Sequence, residues 1–321
     1  MKMKKPFWGL LMGLTLLCSC DNTLEINADW RETPVVMAFI DLTQDSQIIR
    51  IQKTYQNSID KTTAEVAQIA DSLYMRNITV NIHNTGNPTL VKSFSRVSPR
   101  KEEGFFSNRD SSYWGAPSNG FFRSGQNYTL RIKSGETGNE YIATTQMIDT
   151  ASIDFFPNID LANTTPPNFI YTVLSTGNNV YIFDYAIRMH YEESSVANPA
   201  QKTEKYIDFF IRRNQLLGSS NRLSISISKN NYRNFIQNQM KKDPTVARTF
   251  KRLEYVVIAA NRDFADMIET NKPSSSVIPK VGEYSNITNG IGIFACRNIT
   301  RRTQGLNQAS IDLLNGSILN P

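Results

Sequence analysis

The chain has 321 residues, with 35 basic side chains against 29 acidic ones and a formal net charge of +6. Hydrophobic residues make up 40% and aromatics 10%, enough to build packed cores, which excludes a disordered chain. Residues 1–19 hold three lysines and no acid, so the remaining 302 residues carry only +3, and no dense Lys/Arg block remains beyond the isolated pairs Lys241-Lys242 and Arg301-Arg302. That distribution excludes nucleic acid as an expected partner.

The N-terminus is a targeting segment. Lys2, Lys4 and Lys5 precede eleven uncharged, mostly apolar residues, 7–17. A helix of that length falls well short of the ~30 Å hydrocarbon core, so the run reads as a signal peptide and not as a membrane span. Leu17-Cys18-Ser19-Cys20 resembles the lipobox of bacterial lipoproteins, in which a small residue precedes the cysteine. Leu17 is too bulky for Cys18 to be that cysteine. The resemblance implies cleavage after residue 19, a diacylglycerol thioether on Cys20 with palmitate-type chains, and an acylated tether over 20–32. Each buried CH₂ contributes ~0.8 kcal/mol and one chain holds only marginally, so two or three chains are needed for a lasting anchor.

With Cys18 removed and Cys20 acylated, Cys296 stands alone and no internal disulfide can form. Stability must then come from core burial. Cys296 follows the apolar stretch 291–294 and is expected to be a buried small hydrophobe. A nucleophilic thiol needs a basic neighbour, and His83 and His190 are the only histidines.

Period-two alternation recurs along the rest of the chain, the mark of half-buried strands. Residues 35–42 form a near-continuous apolar run, expected as a central strand. Residues 47–55, 78–83, 128–133 and 141–147 alternate, the last two joined by the turn 134–139 as a hairpin. Helical spacing of Val66, Ile69, Ala70 and Leu73 predicts a helix over 63–74. Residues 98–127, rich in Gly, Ser and Asn, read as strand pieces and long loops. Their aromatics Phe105, Phe106, Tyr113, Trp114, Phe121 and Phe122 are either core beneath the loops, the favoured reading, or a sugar-stacking or protein-binding surface. Pro157, Pro166 and Pro167 interrupt the pattern, which places a domain junction near residue 150.

Beyond it, 180–193 is the clearest strand, with Tyr181, Phe183, Tyr185, Ile187, Met189 and Tyr191 alternating with polar residues. Strands follow at 207–212, 223–228, 253–260 and 290–296, with helices at 230–242, 263–271 and 308–314. The expected class is mainly β: an immunoglobulin-like sandwich over 33–149, then a β-rich domain over 150–321 with two or three short helices.

Candidate chemistry centres on one strand face. Asp184, Arg188, His190 and Glu192 alternate along 184–192, and Asp208 on the next expected strand can lie opposite. A His–carboxylate pair there can serve acid/base work or hold a metal. The same residues also describe a solvated ladder of cross-strand ion pairs, each contributing only ~0.2–1 kcal/mol, and that reading is preferred. No HExxH, CxxC, EF-hand loop, Gly-x-Ser-x-Gly elbow or P-loop is present, so no metal, cofactor or catalytic residue is assigned. Gly290 and Gly292 read as strand glycines at a bulge or a close backbone approach.

Three stretches carry a family resemblance: residues 29–36 at the entry to the first strand, residues 49–55 with 70–74 and 78–80, and residues 284–294. Together with the lipobox they resemble a domain-of-unknown-function class of Bacteroidota outer-membrane lipoproteins with an N-terminal β-sandwich. The resemblance implies a lipid-anchored protein on the periplasmic or cell-surface face of the outer membrane, and brings no catalytic residues. Asp21 after the acylated cysteine opposes outer-membrane sorting by the enterobacterial rule but suits Bacteroidota surface lipoproteins. The triplets Asp71-Ser72-Leu73 and Asp149-Thr150-Ala151 look like Bacteroidota O-glycosylation sites, with Ser72 and Thr150 as acceptors.

The expected function is a non-enzymatic envelope lipoprotein binding an outer-membrane protein or a glycan. Two rivals stand beside it. One is a glycan hydrolase drawing paired carboxylates from Asp184, Glu192, Glu193 and Asp208. The other is a structural or adhesive surface protein with no pocket and a broad exposed face.

Overall fold

The computed structural model describes residues 31–55, 61–98, 113–154, 158–175, 179–216, 222–272 and 283–320. Residues Thr33–Pro321 form one compact unit, distinct from Met1–Glu32. The signal segment, Cys20, the tether up to residue 30, and Phe105 and Phe106 lie outside the described residues.

The fold is mainly β and sandwich-like, with a few short helices. Its first half contains β1 (Pro34–Asp41), β2 (Ser46–Lys53), β3 (Ile78–Asn84), β4 (Asn87–Val97), β5 (Tyr113–Pro117), β6 (Asn127–Ser134) and β7 (Glu140–Gln146). Then follow β8 (Ala151–Asp154), β9 (Asn168–Ser175), β10 (Ile182–Ser195), β11 (Asn198–Leu216), β12 (Arg222–Ser228), β13 (Val246–Ala260) and β14 (Ile291–Gln304). Eleven strands share one sheet in the order β11-β10-β13-β14-β1-β2-β5-β4-β3-β6-β7, and β12-β9-β8 form a second sheet.

Strand β4 makes the sandwich. Its residues up to Phe94 pair with β3, and Ser95 to Val97 pair with β5. A strand that changes partner along its length folds the sheet over. The alternating apolar residues of β1 and β2 (Val36, Ala38, Ile40, Ile49, Ile51) thereby share a core with Val80, Ile82, Tyr128, Leu130 and Ile132 of β3 and β6. The β7 edge meets the segment just ahead of β14, an interior strand of the same sheet, where Thr288 bridges Ile142.

The junction expected near residue 150 does not divide this unit. β1 runs parallel to β14, with Val36 opposite Gly292 and Ile40 opposite Cys296, so the two halves share one sheet. Pro157 lies outside the described residues, and Pro166 and Pro167 are exposed in the connection between β8 and β9, where their missing ladder donors say nothing about a domain boundary. The close approach expected at the strand glycines is real at Gly292. Its φ is +116°, and a Cβ there would stand 2.0 Å from the Val36 carbonyl oxygen. Cys296 is fully buried, and burial pushes its thiol up to about 12.

Among the described residues, five short α-helices and a π-helical turn (Leu314–Ile318) complete the unit. The helix expected over 63–74 is two pieces, α1 (Thr63–Ala67), opened by a Thr62–Glu65 capping box, and α2 (Ala70–Leu73). The others are α3 (Lys229–Gln239), α4 (Arg262–Thr270) and α5 (Gln308–Leu313). α3 buries Tyr232 and Ile236 in the main core. α4 seats Ala265, with Phe264 and Ile268, on Ile182 and Ala260, on the opposite face of β10 and β13 from that core.

Candidate functional site

The odd residues of β10 (Tyr185, Ile187, Met189, Tyr191) face the core, which turns Arg188, His190 and Glu192 to the other side. β10 is flanked by β11 and β13. Arg188 stands opposite Asp208 and Glu254, and His190 opposite Tyr206 and Arg252. A bulge at His190/Tyr191 inserts Lys251 into β13, between Arg252 and Phe250.

The contacts follow from this register. Arg188 donates two hydrogen bonds to Asp208, 2.7 and 2.8 Å, and its guanidinium lies 4.0 Å from the Tyr206 ring centre. The buried His190 ring has Nδ1 2.9 Å from Glu204 and Nε2 3.1 Å from Glu254. Arg252 closes the circuit onto Glu204 at 2.7 Å and Glu254 at 3.1 Å. Glu192 is bracketed by Lys251 at 2.8 Å and Lys202 at 3.3 Å. The face expected from sequence therefore exists, with four of its five residues in one array.

Asp184 stands apart, accepting from the Asn214 backbone N–H at 2.7 Å. Glu193, one residue out of phase with Glu192, pairs with Lys205 and with Arg248. Glu204, Tyr206, Lys251, Arg252 and Glu254 were not singled out by sequence. The alternation of Lys202, Glu204, Tyr206 and Asp208 was the available signal.

The electrostatics keep these carboxylates charged. Lys251 beside Glu192, Lys205 beside Glu193 and Arg252 beside Glu204 each hold the acid below its ordinary range. For Glu254 burial pushes the other way, but the bonds from Arg252 and His190 outweigh it and its value is also lowered. A glycosidase acid needs a raised carboxyl that keeps its proton near neutrality. Of the carboxylates the hydrolase reading draws on, Glu192 and Glu193 show the opposite shift. No group of three or more His, Cys, Asp or Glu side chains among the described residues is placed to hold a metal ion.

A different kind of site lies at one end of the sandwich. The β3–β4 turn and the β5–β6 connection enclose a groove of about 760 Å³. Asn84, Thr85, Asn87, Gln126, Asn127, Arg123, Leu90 and Phe121 line it, with glycines between them. Its walls are tied. The Asn84 side chain accepts from the Gly86 and Asn87 N–H groups at 3.0 Å and donates to Gln126 at 2.5 Å. The Tyr128 hydroxyl donates to the Phe121 carbonyl at 2.8 Å and accepts from the Arg123 N–H at 3.0 Å. A recess of about 320 Å³ adjoins it at Gly120, lined by Thr43, Gln44, Asp45, Asn119 and Phe122.

No family model and no curated protein matches the sequence. Among solved structures the chain is similar to trypsin-activated alpha-2-macroglobulin from Escherichia coli, at 8% identity and a TM-score of 0.19. That alignment covers 86% of this chain and 16% of the other, and a likeness so low carries no functional argument.

Of the aromatics in the loop-rich stretch, Trp114 is core, while Phe121 and Phe122 are half-buried, pack on Tyr128 and border the groove and its recess. The two glycosylation candidates differ in setting. Thr150 is exposed just ahead of β8, whereas Ser72 is half-buried within α2.

Proposed function

We propose that this protein is a cell-envelope lipoprotein that binds a protein or glycan partner and carries out no chemistry of its own. Anchoring through Cys20 at the outer membrane, on its periplasmic or cell-surface face, is part of this reading and rests on the lipobox resemblance and the short apolar leader. Thr150, exposed beside Asp149, is the better placed of the two O-glycan acceptors.

The observation that supports binding is the groove at the sandwich end. It is concave, held open by its own hydrogen bonds, and lined by amides, an arginine and apolar side chains, the mixture that orients a ligand. The charged array on β10, β11 and β13, by contrast, spends its side chains on one another. A purely structural or adhesive protein calls for no such recess.

Two experiments test the reading. Mild crosslinking in the native host, with mass spectrometry of what co-purifies, is expected to recover a defined envelope protein or glycan. Detergent phase partition of native protein and Cys20→Ser is expected to move the variant into the aqueous phase. A native protein already in that phase removes the anchor, and a specific hydrolytic activity on envelope glycans removes the non-enzymatic reading.

A further inference from the structure

We infer that the groove between the β3–β4 turn and the β5–β6 connection takes a short acidic oligosaccharide, its carboxylate on Arg123. This rests on the reading of the protein as a binder and names the ligand class for that groove.

The argument begins with charge. Arg123 is the one charged residue lining the groove, and no acid lines it. Its guanidinium is exposed and makes no ion pair or hydrogen bond among the described residues, unlike Arg131, which is engaged by Glu140 at 3.0 Å. A second cation is close, since the Lys92 ammonium lies 5.4 Å from the centre of the Phe121 ring. An anion entering here meets a planar fork of donors suited to a carboxylate.

The other lining groups select for hydroxyls. Asn127 presents a carboxamide that can donate and accept at once, as a polyol requires, while Asn87 and Gln126, whose oxygens accept from Thr89 and Asn84, offer their N–H groups as donors. Leu90, half exposed, and the Phe121 ring supply the apolar surface on which the C–H face of a pyranose packs. About 760 Å³ falls within the ~300–1,000 Å³ of small-ligand sites. That suits a few sugar units. The walls are fixed in advance, so little ordering opposes binding.

The experiment is calorimetric titration of the mature full-length protein with trimers of galacturonic, guluronic, mannuronic and glucuronic acids, each beside its methyl ester. The ester keeps the sugar and removes the charge. At least one acid is expected to bind, with its ester roughly tenfold weaker or more. Arg123→Gln, on an exposed side chain, is expected to cut acid binding by a similar factor and leave the ester unchanged. Asn127→Ala, which keeps the backbone carbonyl used by Thr85, is expected to weaken both. Equal binding of acid and ester, no binding of any uronate, or indifference to Arg123→Gln each overturns the inference. If crosslinking still recovers a defined partner, only the ligand class has failed; if it recovers none and no saccharide binds, the binding reading fails with it.

Discussion

The Asn261 carboxamide donates to the Thr145 hydroxyl at 2.6 Å, joining the start of α4 to β7 across 116 residues of chain. The same carboxamide reaches the Gln146 carbonyl, and its oxygen caps α4 through the Phe264 N–H. Thr145 in turn donates to Asp263 at 2.6 Å, and Tyr284 donates to the other oxygen of that carboxylate. Asn261 and Thr145 are both buried. Asn261→Ala removes a helix cap, ~1 kcal/mol, and leaves buried partners unsatisfied at ~1–3 kcal/mol more. We expect a loss of about 2–4 kcal/mol in urea unfolding, with fluorescence and far-UV signals still moving together, because both halves share one sheet. Two separated transitions in the wild-type protein would contradict that unity.

The Arg188–Asp208 contact is a two-bond fork within the charged array, each side chain 20% exposed. Its double-mutant cycle to alanine is expected to give a coupling of about 1–2 kcal/mol, above the 0.2–1 kcal/mol of exposed pairs, because the geometry is bidentate and Tyr206 shields the guanidinium. Secondary structure by circular dichroism should not change. A coupling near zero would return the array to the status of ordinary solvated charges.

Much of this architecture was legible in the chain. The odd-position apolar residues of β10 fixed which face of that strand is core, and the helical spacing of Tyr232, Phe235, Ile236 and Met240 within 230–242 located α3. What escaped was long-range or exposed. β11 and β13 both extend well beyond their apolar windows, through Asn198–Lys205 and Val246–Arg252, and those extensions carry Lys202, Glu204, Lys205, Arg248, Lys251 and Arg252, while Asp208 and Glu254 fall inside the windows. Strands with little apolar burial leave little periodic signal. The parallel pairing of β1 with β14 joins residues more than 250 positions apart, which no local pattern encodes. The groove is assembled from amides on two separate loops, and their spacing in sequence spells no motif.

Acid should destabilise the protein through its paired glutamates. Glu193 and Glu254 are depressed in the folded state, the first by Lys205 and Arg248, the second by Arg252 and His190 against the opposing effect of burial. The folded protein therefore holds these protons less tightly than the unfolded chain. Their contribution is fully present above the unfolded glutamate value of ~4.3 and drains as pH falls through the depressed folded values. Glu193→Gln with Glu254→Gln is expected to flatten the stability profile below about pH 5 while lowering stability at neutral pH. Urea midpoints measured across that range decide it, and a slope unchanged by the double substitution would reject these two residues as the source.

Gly292 is where the shared sheet tolerates least. At φ +116° only glycine is unstrained, and any Cβ would meet the Val36 carbonyl oxygen at 2.0 Å, inside the strand pair that unites the two halves. The neighbour is backbone held in the β1–β14 and β1–β2 ladders, so it cannot swing aside as a side chain would. Gly292→Ala is therefore expected to cost roughly 3 kcal/mol or more, combining ~1–3 kcal/mol of backbone strain with displacement of β1. The same change at Gly138, which also has positive φ but nothing within 4 Å of an added Cβ, should show the strain alone. Thermal melts of the two variants separate the contributions. Equal losses would mean that the close approach at Val36 adds nothing and that conformation at residue 292 accounts for the whole effect.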